Sequence, residues 1–106
     1  MTDYLPDIFE QFHNEYPTVA EELETLAASV RDAGTLDDEA YRLVKLGIAI
    51  GAVAEGAVRS NARKGLEAGI EPEVMRQVAL MAITTRGFPA AIAAYGWIGE
   101  VLAAEG

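Results

Sequence analysis

The sequence of 106 residues contains no cysteine and a single histidine, His13. Without cysteine the chain can form no disulfide bond, no thiolate nucleophile and no thiolate–metal bond. One histidine cannot supply a multi-histidine metal site within one chain. We therefore expect neither a metal ion nor a cofactor. His13 itself is expected to be a partly exposed surface residue, with proton transfer as the alternative role.

Basic residues are scarce, since 8 lysines and arginines stand against 17 acidic residues and give a formal net charge of −9. Nucleic-acid binding depends on basic side chains that neutralise phosphates, so this balance argues against nucleic acids and against anionic membrane surfaces as partners. The acidic N-terminus lacks the apolar segment of a signal peptide. The uncharged run at 46–54 is far shorter than the roughly 20 residues that span a bilayer. We expect a cytoplasmic protein.

Strand-like alternation and a glycine-rich phosphate loop are both missing, whereas helix signals recur along the chain. The sequence therefore predicts an all-α fold of about six helices in one domain, residues 1–106. Helices are predicted over residues 4–16, about 19–32, and from Thr35–Glu39 onward to about residue 68 with a bend at Glu55–Gly56. Two more are opened by Pro72 and Pro89.

Helix ends are predicted from capping residues. Thr18 with Glu21, and Thr35 with Asp38, have the spacing of a capping box. Gly34 is predicted to be a left-handed C-cap, and Gly69 is predicted to end a helix. Gly47 and Gly51 are expected to permit a close helix–helix approach. The first helix is predicted to be amphipathic from the spacing of Leu5, Ile8, Phe9 and Phe12. In the fifth helix, the residues expected to point to the core are Val74, Val78, Met81 and Ile83.

Two segments, 46–54 and 89–102, carry almost no charge and are expected to be buried on most sides. Hydrophobic residues make up 51% of the sequence. A domain of this size cannot cover that much apolar surface by itself, because small domains leave a large share of their surface in water. The sequence therefore predicts a homo-oligomer, in which further copies of the chain cover the apolar helices.

The order of motifs from Leu36 to Leu102 resembles the carboxymuconolactone decarboxylase-like family, which includes the AhpD-like peroxidase-reductases. The resemblance is carried by L-D-D-E-A-Y-R-L-V-K-L-G-I-A-I-G, by E-G-A-V-R-S-N-A-R-K-G-L-E-A-G-I-E-P-E-V-M and by A-I-T-T-R-G-F-P-A-A-I-A-A-Y. It covers about two thirds of the chain, so that residues 36–103 form the family-like core and 1–35 add N-terminal helices. The resemblance implies an all-helical homo-oligomer, commonly a trimer or hexamer.

AhpD-like members of the family carry a C-x-x-C-x-x-x-H motif and an upstream glutamate. Placed on this sequence, the two cysteines fall on Ala54 and Ala57, the histidine on Asn61 and the glutamate on Arg42. Alanine is no nucleophile and asparagine does not titrate, so neither thiol chemistry nor histidine-mediated proton transfer is available at these positions. The departures exclude a peroxidase or disulfide reductase of that mechanism.

The decarboxylase branch lacks the cysteine pair and acts on a small carboxylated lactone. By resemblance, Glu55 is then the candidate catalytic acid or base, and Asn61 the candidate donor to a developing oxyanion. Arg59, Arg42 and Arg86 are the candidates for binding substrate carboxylates. A structural interpretation stands beside this one, because Glu55 and Arg59 have the i, i+4 spacing of an ordinary helical ion pair. Arg63 and Lys64 are expected to be solvated.

Three functions remain open after the sequence alone. The first is a homo-oligomer that binds a small anionic ligand near Glu55, Arg59 and Asn61. The second is a cofactor-free decarboxylase of a small carboxylated lactone that uses the same residues. The third is a non-catalytic structural or interaction subunit.

Overall fold

The computed structural model describes residues 7–105, with side chains through residue 104. The described part is all-α, as predicted, and contains no strand. Its helices are α1 (Asp7–Glu15), α2 (Pro17–Asp32), α3 (Asp38–Gly51), α4 (Glu55–Glu67), α5 (Pro72–Met81) and α6 (Phe88–Glu105), with a 3₁₀ turn at Ala82–Thr84 after α5. The contacts divide into two compact units, residues 7–36 and residues 37–105.

The first unit is a pair of helices, α1 and α2, separated only by Tyr16. Pro17 occupies the first turn of α2, where its missing N–H has no helical acceptor to lose. The predicted capping box is wrong, because Thr18 already lies inside the helix and no side chain caps its N-terminus. Gly34 is also not a left-handed cap, because it does not adopt a positive φ. Leu5 and the predicted start at residue 4 lie outside the described residues.

Helix α2 carries an apolar stripe that is not covered. Val19, Leu23, Leu26 and Val30 follow one another at spacings of four, three and four residues, and each is more than half exposed. This spacing is that of the contacting positions of a coiled coil, which share one face of a helix. The first unit therefore presents an apolar helix face that is more than half exposed.

His13 ties α1 to α2 and should make this unit pH-sensitive. Its Nε2 lies 3.0 Å from Oε2 of Glu24, and its Nδ1 lies 3.2 Å from the carbonyl oxygen of Phe9. The hydrogen bond to Glu24, and then that to Phe9, raise the pKa of His13 above its ordinary value. Because the pKa is higher in the folded chain, the protonated imidazole of His13 stabilises the fold. This stabilisation is complete below the unfolded pKa of about 6.5, and it is lost as the pH rises through the folded pKa.

We expect an NMR titration of His13 to give a pKa above about 6.5 in the wild-type chain and a lower one in Glu24→Gln. Amide protection of α1 should correspondingly be greater at pH 6 than at pH 9. Glu22→Gln is the matched control, because Glu22 lies on the same helix but does not contact the imidazole. Equal pKa values in wild type and Glu24→Gln would contradict the assignment.

The second unit encloses the core between α3, α4, α5 and α6. Helix α6 packs against both α4 and α5, and α3 packs against α4. The largest fully buried side chains are contributed by all four helices, and they are Leu46, Ile50, Val58, Met75 and Ile98. Burial of these side chains is the main favourable term for a helical unit of this size.

Among the glycines of this core, Gly65 in α4 lies closest to a neighbouring helix. A Cβ on Gly65 would lie 3.0 Å from Sδ of Met75 on α5, which is tighter than ordinary van der Waals contact. The sequence had placed the close approach at Gly47 and Gly51. A Cβ at Gly47 would instead have an ordinary 3.7 Å contact with Val78, and one at Gly51 would meet nothing within 4 Å.

The break between α3 and α4 comes earlier than the predicted bend at Glu55–Gly56. Helix α3 ends at Gly51, Val53 adopts a positive φ of 53°, and α4 begins at Glu55. The N–H of Val53 donates to the carbonyl of Ile50, and that of Ala54 to the carbonyl of Ala49. These two bonds form a Schellman motif, which satisfies the last carbonyls of α3. A valine in this backbone region is unusual, because its branched Cβ is crowded there.

Helix α4 ends in the same motif with the expected residue. Gly69 has a φ of 89°, and the N–H groups of Gly69 and Ile70 donate to the carbonyls of Leu66 and Gly65. The prediction that Gly69 ends this helix is therefore confirmed. At the start of α3, Asp37 is the N-cap and accepts a hydrogen bond from the N–H of Ala40. The predicted capping pair, Thr35 with Asp38, is wrong.

Burial on all sides, expected for 46–54 and 89–102, is not found within one chain. Ile48 is 67% exposed, and Phe88, Ile92 and Tyr95 form an exposed row on α6. On α5, Met81 is 62% exposed, and Ile83 in the 3₁₀ turn is also exposed, so their prediction as core residues is wrong. Val74 and Val78 do pack against the core, but Met75 and Ala79 are the fully buried residues of α5.

Candidate functional site

The beginning of α4 is where the sequence places the family's reactive residues. Ala54 is the N-cap, with extended backbone angles and no side chain that caps the first turn. Its carbonyl accepts the first helical hydrogen bond, from the N–H of Val58. Ala54 is half-buried, and Ala57, one turn further, is exposed. Two methyl groups therefore stand at these positions, and neither can act as a nucleophile or a proton carrier.

Asn61 lies one turn beyond Ala57 and uses its amide on its own helix. Its Nδ2 donates to the carbonyl oxygen of Ala57 at 2.9 Å, and the residue is half-buried. Such back-bonding to the i−4 carbonyl is a local helix contact that needs no ligand. It directs one amide proton of Asn61 along the helix, away from the oxyanion role predicted for it.

Arg59 is held by two carboxylates. Its Nε donates to Oε2 of Glu55 at 3.0 Å, and its Nη2 donates to Oε1 of Glu100 on α6. Arg59 itself is only 17% exposed, whereas both glutamates are mostly exposed. The hydrogen bond that Arg59 donates to Glu100 contributes most to raising the pKa of Arg59 above its ordinary value. The group therefore carries two negative charges and one positive charge, and it links α4 to α6.

The predicted pair of Glu55 and Arg59 thus forms, but the sequence did not identify its third member. Glu100 lies 41 positions from Arg59, so helical spacing along one segment could not reveal it. A weak signal was present, because Glu100 is the single charged residue between positions 88 and 104. A lone carboxylate in an otherwise uncharged helix often has a partner on a neighbouring element.

The other two predicted arginines have different partners. Arg42 donates from Nε to Oδ2 of Asp38 at 3.0 Å, within α3. Arg86 donates from Nε to the carbonyl of Gly51 at 3.1 Å, at the C-terminus of α3, where the helix dipole favours a cation. Glu55 and Arg59 therefore lie in contact as predicted, whereas Arg42 and Arg86 bind other partners and do not join them.

Arg63 was predicted to be solvated, but its side chain is largely buried. Its side chain is only 14% exposed and donates from Nη1 to Oε2 of Glu67 at 3.1 Å. Its Nε is buried without a hydrogen-bond partner among the described residues. Arg63 thus packs its long side chain against the protein and keeps one terminal nitrogen on a surface carboxylate, as arginine commonly does.

A groove lies between α5 and α6. None of the predicted site residues lines it, and these are Glu55, Asn61, Arg59, Arg42 and Arg86. The groove has a volume of about 300 Å³ and is lined mainly by apolar side chains. Arg76 and Tyr95 supply its polar groups. Elsewhere in residues 7–105, no three acidic or histidine side chains come together as a metal site would require. No helix in that range is both long and apolar enough to cross a bilayer.

Comparison with known proteins covers most of the second unit and part of the first, including all of α2. The comparison with curated proteins gives no match to this sequence. The family model of the carboxymuconolactone decarboxylase family matches residues 17–100. That range includes α2 to α5 completely and most of α6, and with them every residue of the Glu55, Arg59 and Glu100 group. The chain belongs to the carboxymuconolactone decarboxylase family.

Proposed function

We propose that this chain is a homo-oligomeric, non-catalytic member of its family, a structural or interaction subunit that assembles as a trimer or hexamer. One observation carries the proposal: the polar side chains at the family's reactive position already have hydrogen-bond partners within the chain. Asn61 donates to its own helix, and Arg59 is shared by Glu55 and Glu100. Beside them, Ala54 and Ala57 offer no reactive atom.

In this proposal the arginine has a structural role. Arg59 joins α4 to α6 by neutralising two carboxylates that would otherwise repel each other across the helix contact. The exposed apolar side chains of α2, α3, α5 and α6 support the assembly, because surfaces of this kind are usually covered in solution. The absence of cysteine at the reactive position already excludes the family's thiol chemistry.

A second candidate is a site for a small anionic ligand, or for a carboxylated lactone that loses carbon dioxide, at Glu55, Arg59 and Asn61. The observation in its favour is the first turn of α4, which has no side-chain cap and lies next to the exposed Ala57. Free N–H groups and the helix dipole favour an anion there. To reach Arg59, however, a carboxylate ligand must displace Glu55 or Glu100, and the negative charge of the group opposes it.

The two candidates differ in the response to ligand. We expect no release of carbon dioxide from small carboxylated lactones and no thermal stabilisation by small dicarboxylates such as succinate. A ligand that bound only the folded chain would raise its melting temperature with concentration. Turnover, or a stabilisation that disappears in Arg59→Ala, would establish the second candidate and overturn the first.

The structural role of Arg59 predicts its own stability effect. Arg59→Ala should lower the free energy of unfolding by up to about 1 kcal/mol, the usual range for exposed or partly exposed ion pairs. Arg42→Ala is the matched control, because it removes an ion pair within one helix, with an expected effect of about 0.3–0.5 kcal/mol. Chemical denaturation at one fixed chain concentration measures both. An Arg59→Ala variant as stable as wild type would contradict the role in joining α4 to α6.

A further inference from the structure

Among the exposed apolar surfaces of residues 7–104, one is a ridge on a single helix and another is a groove between two helices. The first is the stripe of α2 formed by Val19, Leu23, Leu26 and Val30, a convex face on one helix. The second is the concave groove between α5 and α6, whose apolar walls include Leu80, Ile83, Phe88 and Ile92. An amphipathic helix that lays such a stripe into an apolar groove is a recurrent mode of protein recognition.

The charges beside the two surfaces are also complementary. Arg76 lines the groove, and among the described residues it has no hydrogen-bond or ion-pair partner, although the chain has 17 acidic residues. Glu22 lies three residues after Val19 and four before Leu26, so it flanks the stripe. Glu22 is exposed and likewise has no partner within residues 7–105. A half-buried arginine in an apolar wall is costly unless a carboxylate reaches it.

We propose that the stripe of α2 from one copy docks into the α5–α6 groove of a second copy, with Glu22 paired to Arg76 of the groove. The proposal rests on the self-association proposed above and specifies the surface that produces it. The contact covers apolar side chains on both sides and pairs two groups that a single chain leaves unpaired. Because a chain with a net charge of −9 repels its own copies, an unpaired cation at the contact also helps them to approach.

Two different surfaces allow a heterologous assembly, in which each copy offers its stripe to a second copy and its groove to a third. Heterologous contacts close into rings when the rotation between copies allows it. The docking of α2 therefore agrees with a cyclic trimer, or with a hexamer built from two such rings.

The test is a charge exchange measured by sedimentation velocity on the full chain. Arg76→Glu and Glu22→Arg should each weaken association at least tenfold, because each places like charges at the contact. The double variant restores opposite charges and should associate within about threefold of wild type. Leu26→Asp, in the centre of the stripe, should abolish the assembly. Lys45→Glu is the matched control, since it makes the same change of charge on α3 and should leave association unchanged.

Circular dichroism must first show that each variant has the helix content of the wild-type chain. Assembly of Arg76→Glu and Leu26→Asp with wild-type affinity would overturn the docking of α2 and leave the self-association intact. A wild-type monomer would overturn both. The alternative occupant of the groove is a small amphipathic carboxylate, and decanoate is the probe for it. Binding of decanoate that depends on Arg76, without any change in the mass of the assembly, would make the groove a ligand site and overturn the docking.

Discussion

Ile98→Ala is expected to destabilise the chain by about 2–5 kcal/mol, the range found when a fully buried large aliphatic side chain is truncated. Ile98 is completely buried on α6 and belongs to the cluster that joins the four helices of the second unit. The truncation removes favourable apolar burial and leaves a cavity that rigid helices fill only partly. Since small domains have a total stability of only about 5–15 kcal/mol, the variant should be close to unfolding at 37 °C.

The control for this experiment is Ile8→Ala, the same chemical change at a position of α1 that is 63% exposed and lies outside the apolar surfaces assigned to the assembly. It should cost less than about 1 kcal/mol, because little apolar surface leaves the protein interior. Urea denaturation of both variants at the same chain concentration gives the comparison. Equal losses in the two variants would mean that Ile98 is not central to the core.

The second large effect is expected for Gly69→Val. Gly69 has a φ of 89°, a region that side chains rarely adopt, and an added Cβ there would meet nothing within 4 Å. The cost therefore comes from backbone strain and not from a clash, and it should amount to about 1–3 kcal/mol. The melting temperature should fall by about 4–8 °C for each kcal/mol lost.

The reciprocal change, Val53→Gly, is the control. Val53 occupies the equivalent position after α3, with a φ of 53° and the same pair of hydrogen bonds. Glycine relieves the strain at the cost of some flexibility in the unfolded chain, so this variant should be as stable as wild type or more stable by up to about 1 kcal/mol. A loss of stability in Val53→Gly together with no loss in Gly69→Val would contradict the account of both helix ends.

Much of the helical fold could be predicted from local signals. Pro72 and Gly69 carry strong positional preferences, and both lie where the sequence placed them. The capping residues were predicted less well, because several polar residues compete at each helix start. At the start of α3, Asp37 caps although Thr35 and Asp38 have the capping-box spacing. Spacing alone does not decide which of them adopts the extended backbone of an N-cap.

The burial expected for 46–54 and 89–102 depends on the assembly and stays a prediction for a single chain. Apolar composition indicates that a surface will be covered, but it does not identify the chain that covers it. Ile48 and Ile92 lie in these segments, and both are exposed in one chain. Met81 was expected in the core because it follows Val74 and Val78 at helical spacing, yet the helix turns it outward and buries Met75 and Ala79 instead.

The candidate site could be predicted only where its members are close in sequence. The i, i+4 spacing of Glu55 and Arg59 revealed their pair, and the family resemblance placed Ala54, Ala57 and Asn61 at the start of one helix. Glu100 required the tertiary contact between α4 and α6. This third member changes the interpretation of Arg59 from a carboxylate receptor to a link between two helices.

The central claim is that this family member works as an assembled, non-catalytic subunit. Sedimentation velocity of the wild-type chain, from about one to one hundred micromolar, tests it most directly. The account predicts a dominant species with three or six times the mass of one chain. A species with the mass of a single chain at every concentration would contradict it.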